Sequence, residues 1–227
     1  MVVGTGSLAN VFLSKFKKNN DVLIYASGVS DSTEKNKVNF DREKNLLINS
    51  IKNNPEKKLI YFSSIFVGYK NTDYYLHKLE IENLIFNNCS NYLIIRLPQI
   101  LSKTGNKKNI INFFVDSLIN NNKVDIMSES WRAIIDIDDV LKVSEGLISK
   151  HKNKIINFSN IEIIKVDDLY KKIAKIINKN ESFNLLDFDE KIPIIENSKE
   201  VVSILMELNL IQEKYTDKIL LKYLKKW

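Results

Sequence analysis

Residues 2–10 read VVGTGSLAN, and the parsing of this stretch sets the architecture of everything after it. A short valine run meets Gly4-Thr5-Gly6, and Ser7, Leu8 and Ala9 then open an apolar-periodic segment that reaches Phe16. The pattern is G-x-G-x-x-A between a strand and a helix. Gly4 permits a tight turn, Gly6 lets a backbone approach a pyrophosphate, and Ala9 lets helix and strand pack closely. The helix N-terminus adds unpaired N–H groups and a partial positive charge suited to phosphates. Glycine turns also serve plain packing, so the motif needs support from the rest of the chain.

That support lies in the order of elements. Strand-like apolar runs occur at Met1–Val3, Val22–Tyr25, Leu59–Phe62 and Tyr92–Leu97. Helical patterns separate them at Leu8–Phe16, Val38–Ile51 and Tyr75–Phe86. In the second of these, Phe40, Leu47, Ile48 and Ile51 share one broad face, as a period of about 3.6 demands. Strands alternating with helices of this length predict a parallel sheet covered on both faces. Further on, Ile110–Ile119, Asp138–Ser149, Val166–Ile177, Ser198–Leu208 and Lys218–Lys226 read as helices, and Ile134–Ile137 as a short strand or loop. The sequence shows no internal repeat and no low-complexity linker, so a second lobe must be built from insertions into the first.

Composition narrows the function classes. The 227 residues suit one domain with a modest appendage. The net charge of +6 is nearly all lysine, spread along the chain, with Arg42, Arg96 and Arg132 as the arginines. Scattered lysine reads as a solvated surface, or as attraction for an anionic ligand such as a nucleotide. No basic–aromatic tract suggests nucleic acid as a partner. Cys89 is the sole cysteine, which rules out an internal disulfide, and with only His77 and His151 beside it no metal-ligand cluster can be drawn. No apolar run approaches the ~20 residues that span a bilayer, and no signal peptide is visible. No membrane partner and a cytoplasmic location are expected.

The chemistry-bearing stretch is YFSSIFVGYKNTDYYLHKLEIE, residues 61–82. Two serines close an apolar strand, and Tyr74 and Lys78 stand one helical turn apart. A free tyrosine has a pKa near 10, and an ammonium one turn away is expected to lower it by stabilising the phenolate. A serine hydroxyl opposite can fix the carbonyl or alcohol oxygen with which the tyrosine exchanges a proton. That set suits hydride transfer, in which a nicotinamide moves the hydride. Tyr-x-x-x-Lys also arises by chance on amphipathic helices; the preceding serine and the glycine turn give it chemical sense.

Over nearly its whole length the chain resembles extended short-chain dehydrogenases/reductases, in the NAD-dependent epimerase/dehydratase group that acts on nucleotide sugars. The resemblance places the catalytic set on Ser64, Tyr74 and Lys78; Ser64 stands three residues before Val67, as in the family. KVNFDREKNLL carries Asn39 in the position of the family's helix asparagine. RAIIDIDDV (132–140) resembles R-x-F-I-H-V-D-D-V, whose arginine meets a substrate diphosphate; here that is Arg132. The segments INFSNIEIIKVDDLYKKIAKII and VSILMELNLI…LLKYLKKW follow the family's C-terminal pattern.

The resemblance implies an α/β, Rossmann-like, doubly wound parallel sheet, shortened, with a small C-terminal substrate-binding lobe. Residues 1–100 would form the NAD(P)-binding core and 101–227 the substrate-binding part, with some segments returning to the core. It implies NAD or NADP as cofactor, held by Gly4, Thr5, Gly6, Ser7, Leu8, Ala26, Ser27, Gly28, Asn39 and Lys78. Gln99, Lys107 and Arg132 would hold a nucleotide-diphosphate sugar. Lys78 would also hydrogen-bond the nicotinamide ribose. A homodimer is expected through the helix carrying Tyr74 and its neighbour.

Three departures shape the functional expectation. DVLIYASGVSDS (21–32) resembles the family's fourth strand, which leaves no room for the usual second and third strands or for the residue that grips the adenosine ribose. If Val22–Tyr25 takes the second-strand position instead, no acid stands at its end, and Asp31 is the nearest carboxylate. A right-handed crossover from first to fourth strand would put the first helix on the wrong face. Either that crossover is left-handed, or Val22–Tyr25 sits elsewhere in the sheet.

Second, Ile65 and Phe66 follow Ser64 where dehydratases carry an acidic pair, so dehydration is not expected. Third, nothing brings Cys89 and His77 together as the pair that adjacent-carbon epimerising reductases use; Cys89 reads as a buried small hydrophobe. A weakened grip on the cofactor favours exchange over retention. The expectation is therefore an NAD(P)H-dependent reductase of a keto group on a nucleotide-linked sugar, in surface polysaccharide biosynthesis. A nucleotide-sugar epimerase and a non-catalytic nucleotide-binding relative are the alternatives.

Overall fold

The computed structural model describes residues 1–103, 109–187 and 193–225. The N-terminal half alternates strictly: β1 (Val2–Val3), α1 (Ser7–Phe16), β2 (Val22–Tyr25), α2 (Lys37–Lys52), β3 (Lys58–Ser64), α3 (Asp73–Asn88) and β4 (Tyr92–Leu97). The rest contains β5 (Gln99–Leu101), α4 (Ile110–Ile119), β6 (Val124–Met127), β7 (Trp131–Asp136), α5 (Ile137–Lys150) and β8 (Lys154–Asn157). It continues with β9 (Ile163–Lys165), α6 (Val166–Ile176), β10 (Phe183–Leu186), α7 (Lys199–Glu207) and α8 (Tyr215–Leu224). Every expected helix is present within a few residues of its expected bounds. The short strands β5, β6, β8, β9 and β10 were not anticipated: each has only three or four residues. The Ile134–Ile137 segment is the end of β7 and the first residue of α5.

The main sheet has the order β1-β2-β3-β4-β8, with every pair parallel. β1 is an edge strand. A doubly wound sheet of order 3-2-1-4-5-6 that lost its second and third strands would leave this arrangement. Val22–Tyr25 therefore takes the fourth-strand position.

Side-chain alternation shows how the helices are layered. Val22, Ile24, Ile60, Phe62, Leu93 and Ile95 pack with Phe12 and Phe16 of α1, and with α5 and α7. Leu23, Tyr25, Leu59, Tyr61 and Ile94 pack with Leu47 of α2 and Ile81 and Ile85 of α3. The first three crossovers all step the same way across the sheet, yet α1 lies on one face while α2 and α3 lie on the other. The first crossover is thus opposite in hand to the next two. With the near-universal right-handed sense assigned to those, β1-α1-β2 is left-handed. This resolves the conflict between strand assignment and topology in favour of the rare hand.

A second apolar core joins α4, α6 and α8 to the small sheets β5-β7-β9 and β10-β6. Asp136 locks it to α5. Its carboxylate caps α5 by accepting from the Asp138 amide at 2.9 Å. It also accepts from Lys222 at 2.5 Å and Tyr223 at 3.0 Å on α8. Tyr215, at the start of α8, donates to Asp139 at 2.9 Å and accepts from the Asp136 amide at 3.0 Å. The clamp fixes β7, and with it Arg132.

Gly4 has φ +133°, and a Cβ there would lie 2.4 Å from the Ala26 carbonyl oxygen. Gly6 has φ −77° and open space where a Cβ would stand. Gly4→Ala should therefore lose stability by more than the roughly 1–3 kcal/mol of backbone strain alone. Gly6→Ala should stay within roughly 0.5 kcal/mol of the parent. Denaturant unfolding of both variants checks this; equal losses would contradict the assigned geometry.

Candidate active site

The loops leaving β1 and β2 turn toward helices on opposite faces and so part at their C-terminal ends. Crevices of this kind are where open α/β sheets bind ligands. One lip is Gly4-Thr5-Gly6 with Ser7 and Leu8 in the first turn of α1. Gly4 presses on Ala26, and its absent Cβ would also lie 3.1 Å from Ala9 Cβ. Gly6 caps α1 with no side-chain cap, and no acidic residue occupies the first turn. A helix N-terminus with no acidic residue in its first turn and open space beside Gly6 fits a phosphate group.

The other lip is Ala26–Val29, followed by Asp31 and the N-terminus of α2. Arg42 donates to the Ser27 carbonyl at 3.0 Å and to its hydroxyl at 3.3 Å. Gly28 has a role the sequence did not suggest: a Cβ there would lie 2.7 Å from Lys78 Nζ and 3.0 Å from Glu43 Oε1. Its lack of a side chain makes room for the lysine. Asn39, in the first turn of α2, donates to Glu34 at 2.7 Å.

Behind this lip lies a buried polar cluster centred on Glu43, whose side chain is wholly inaccessible. Oε1 accepts from the Tyr61 hydroxyl at 2.7 Å and from Lys78 at 3.0 Å. Oε2 accepts from the Val29 amide at 2.6 Å and lies 3.1 Å from His77 Nε2. Lys78 also donates to the Tyr61 oxygen at 3.0 Å. Burial pushes the Glu43 carboxyl up, but Lys78 and the hydrogen bonds from His77, Val29 and Tyr61 outweigh it and hold the group at about 2. Burial pulls Lys78 down, and the Glu43 carboxylate offsets part of that. Sequence reading missed Glu43 and dismissed His77. The signal was positional: Glu43 completes the 40-43-47-51 stripe of α2, a charge at a core position.

Tyr74 and Lys78 are together, as the spacing predicts, with Lys78 Nζ 5.7 Å from the Tyr74 ring centroid. Tyr74 packs against Val29, with its ring edge-on to Tyr75 at 5.0 Å. The expectation that Lys78 lowers the Tyr74 pKa is overturned. Burial first, then Tyr75, Glu43 and Asp31, push the phenol above its ordinary value. The reason is that the lysine's charge is turned toward Glu43 and Tyr61. Ser64 ends β3, and its hydroxyl accepts a long 3.4 Å bond from the Phe66 amide. Among the described residues Tyr74 has no hydrogen bond to Ser64 or Lys78. Ser63, beside it, is buried with an unpartnered hydroxyl.

In the C-terminal half, Arg132 lies in a narrow cleft with Ile65, Phe66, Trp131 and Asn160. Burial lowers its pKa and the nearby Tyr75 opposes that. Gln99 opens β5, and its buried amide nitrogen has no hydrogen-bond partner among the described residues. Lys107 lies outside the described residues. A wider groove, also lined by Trp131, holds neither Arg132 nor Gln99, and its Lys165, Lys171 and Lys172 are paired with Glu129, Asp167 and Asp217. Cys89 is half-buried at the end of α3.

No protein-family profile matches the chain, and no curated protein matches it. Solved structures do share its fold. A dTDP-glucose 4,6-dehydratase of Bacillus anthracis, in complex with NAD, is 12% identical over 97% of this chain and 77% of its own, with a TM-score of 0.70. RMD of Pseudomonas aeruginosa, complexed with NADPH, is 14% identical over 100% of this chain and 89% of its own, at 0.71. A UDP-glucuronic acid 4-epimerase of Bacillus cereus, with UDP-glucuronic acid and NAD, is 16% identical over 97% and 79%, at 0.70. The chain has the Rossmann-like α/β fold of these structures and spans 77–89% of their length. At these identities the likeness establishes architecture.

In this fold the Glu43–Lys78 pair makes a stability prediction. Glu43→Gln leaves a buried ammonium unpaired and should cost roughly 3–5 kcal/mol at neutral pH. A carboxyl held at about 2 against an ordinary 4.5 stabilises fully above pH 4.5 and loses that stabilisation as pH falls toward 2. The gap between parent and variant should therefore narrow below pH 4.5, measured by denaturant unfolding. A gap that stays constant to pH 2 would contradict an ionised Glu43.

Proposed function

We propose that the chain is an NAD(P)H-dependent reductase of a keto group on a nucleotide-linked sugar, acting in surface polysaccharide biosynthesis. The observation that carries this reading is Tyr74, a buried phenol one helical turn from Lys78. The Ala26–Val29 segment touches Gly4 at one end and packs against both residues at the other. One loop thus links the glycine turn to the phenol and the lysine. A phenol held above its ordinary pKa is protonated at neutral pH, as reduction of a carbonyl requires.

A bound nicotinamide would supply the hydride. Gly4, Thr5, Gly6, Ser7 and Leu8 would receive the cofactor's phosphates, and Ala26, Ser27 and Gly28 would flank its nicotinamide half. Tyr74 gives its proton to the carbonyl oxygen, Ser64 orients that oxygen, and Lys78 steadies the cofactor. Asn39 would take part from the first turn of α2. The C-terminal part is proposed as the substrate lobe, with Arg132, Gln99 and Lys107 toward the diphosphate. The orphan amide of Gln99 and the half-buried Arg132 support this, since each lacks an acidic partner among the described residues. NAD- and NADPH-bound structures of this fold support either cofactor.

With β1 at the sheet edge, no strand underlies the adenosine half, which favours a cofactor that comes and goes. Dehydration lacks its acids: Ile65 is buried and Phe66 packs in the Val29–Tyr74 cluster. The 4-epimerases of this fold keep epimerisation as the second reading. The test is turnover of NADPH with keto forms of UDP- and dTDP-linked hexoses. Tyr74→Phe should lower the rate by about 10²–10⁴ while leaving NADPH binding intact. Undiminished turnover in the variant would remove Tyr74 from the chemistry. Cofactor binding without any turnover in the parent would favour the non-catalytic reading.

The proposed homodimer would use the outer faces of α2 and α3. Leu46, Leu76 and Phe86 are exposed there, Phe86 at 64%. No helix of the described residues is long and apolar enough to cross a membrane, and a cytoplasmic site of action is part of the proposal. Light scattering should give twice the 26.4 kDa chain mass, and Phe86→Glu with Leu76→Glu should halve it. A monomeric parent would contradict this interface.

A further inference from the structure

We propose that Glu43 is a positioning residue, built into this chain to hold Lys78 and the Ala26–Val29 loop in ligand-ready geometry before any cofactor arrives. The inference rests on the reductase reading for its ligand and on geometry for its mechanism. An ammonium has three donors. In Lys78 one bridges the two Glu43 oxygens, at 3.0 and 3.3 Å, and a second goes to Tyr61 at 3.0 Å. One N–H remains for a ligand, with the nitrogen pressed against the gap left by Gly28.

The same carboxylate takes the Val29 amide at 2.6 Å, so lysine and loop are set by one group. Tyr25 adds a bond to the Glu43 backbone oxygen at 2.8 Å, tying the end of β2 to this point of α2. Such a brace has a reason here. In a sheet that stops at β1, the crevice has no outer strands to support it. Without Glu43 the buried ammonium would have to find another anion, and the loop another acceptor. Around Lys78 and Tyr74 the charged and titratable groups are Glu43, Asp31, Arg42, Tyr61, Tyr75, His77 and Glu82. Glu43 alone bonds Lys78, Val29 and Tyr61 together.

The experiment compares the full-length parent, Glu43→Gln, Lys78→Met and the double variant, by NADPH binding from nicotinamide fluorescence and by amide hydrogen exchange. Glu43→Gln and Lys78→Met should each weaken NADPH by about tenfold, and the double variant should be no weaker than Lys78→Met. Multiplying losses would mean that Glu43 supports the fold without acting through Lys78, and would overturn the proposal. Val29 exchange should speed up in Glu43→Gln and stay slow in Lys78→Met; the reverse would also overturn it. If Glu43→Gln does not fold, the double variant against Lys78→Met decides by the same criterion. If the parent binds neither NADPH nor NADH, the reductase reading fails, and Val29 exchange still decides the role of Glu43.

Discussion

The constraint on which the rest of the structure depends is the change of face between α1 and α2. Adjacent parallel strands whose following helices lie on the same face close over their own ends. Here α1 and α2 pack on opposite faces, so the chain turns in opposite directions beyond the ends of β1 and β2. In a full doubly wound sheet the opening comes from reversal of strand order. This chain has no reversal, because the two strands outside β1 are absent, and it keeps the opening by making its first crossover left-handed. Gly4 makes that geometry possible, since no other residue fits against the Ala26 carbonyl.

Behind the Ala26–Val29 loop, a single carboxylate on α2 connects one strand, a second helix and that loop. Burying Glu43 and Lys78 is unfavourable unless every lone pair and proton is satisfied. Tyr61, Val29, His77 and Lys78 together satisfy the carboxylate, and Lys78 keeps one N–H in reserve. The arrangement has a chemical consequence. A lysine that spends two donors on Glu43 and Tyr61 acts on Tyr74 less as a nearby charge than as a fixed steric neighbour. The phenol stays protonated, the state that donates a proton to a carbonyl oxygen.

Much of the core was legible in the sequence because period and glycine chemistry are local. β4, α4 and the Tyr74–Lys78 turn could be read directly, and so could the shortened nucleotide half. What escaped depends on partners far along the chain. β8 is a four-residue strand recognisable only by its pairing with β4. Glu43 is 35 residues from Lys78, and a lone acid on a helix reads as solvated until its neighbours are known. The handedness of the first crossover could be posed as a question but not answered, since it is set by which apolar faces find one another. Lysine near tyrosine suggested a lowered phenol pKa; burial of the phenol, with Tyr75, Glu43 and Asp31 adding to it, raised it instead.

The chemical reading requires that this narrowed crevice still accept a dinucleotide. Titrating the parent protein with NADH and NADPH, followed by nicotinamide fluorescence, tests that most directly. Saturable binding of either at micromolar concentration is the predicted result. Absence of binding of both at millimolar concentration would contradict it, and would mean that loss of the outer strands has abolished the cofactor site.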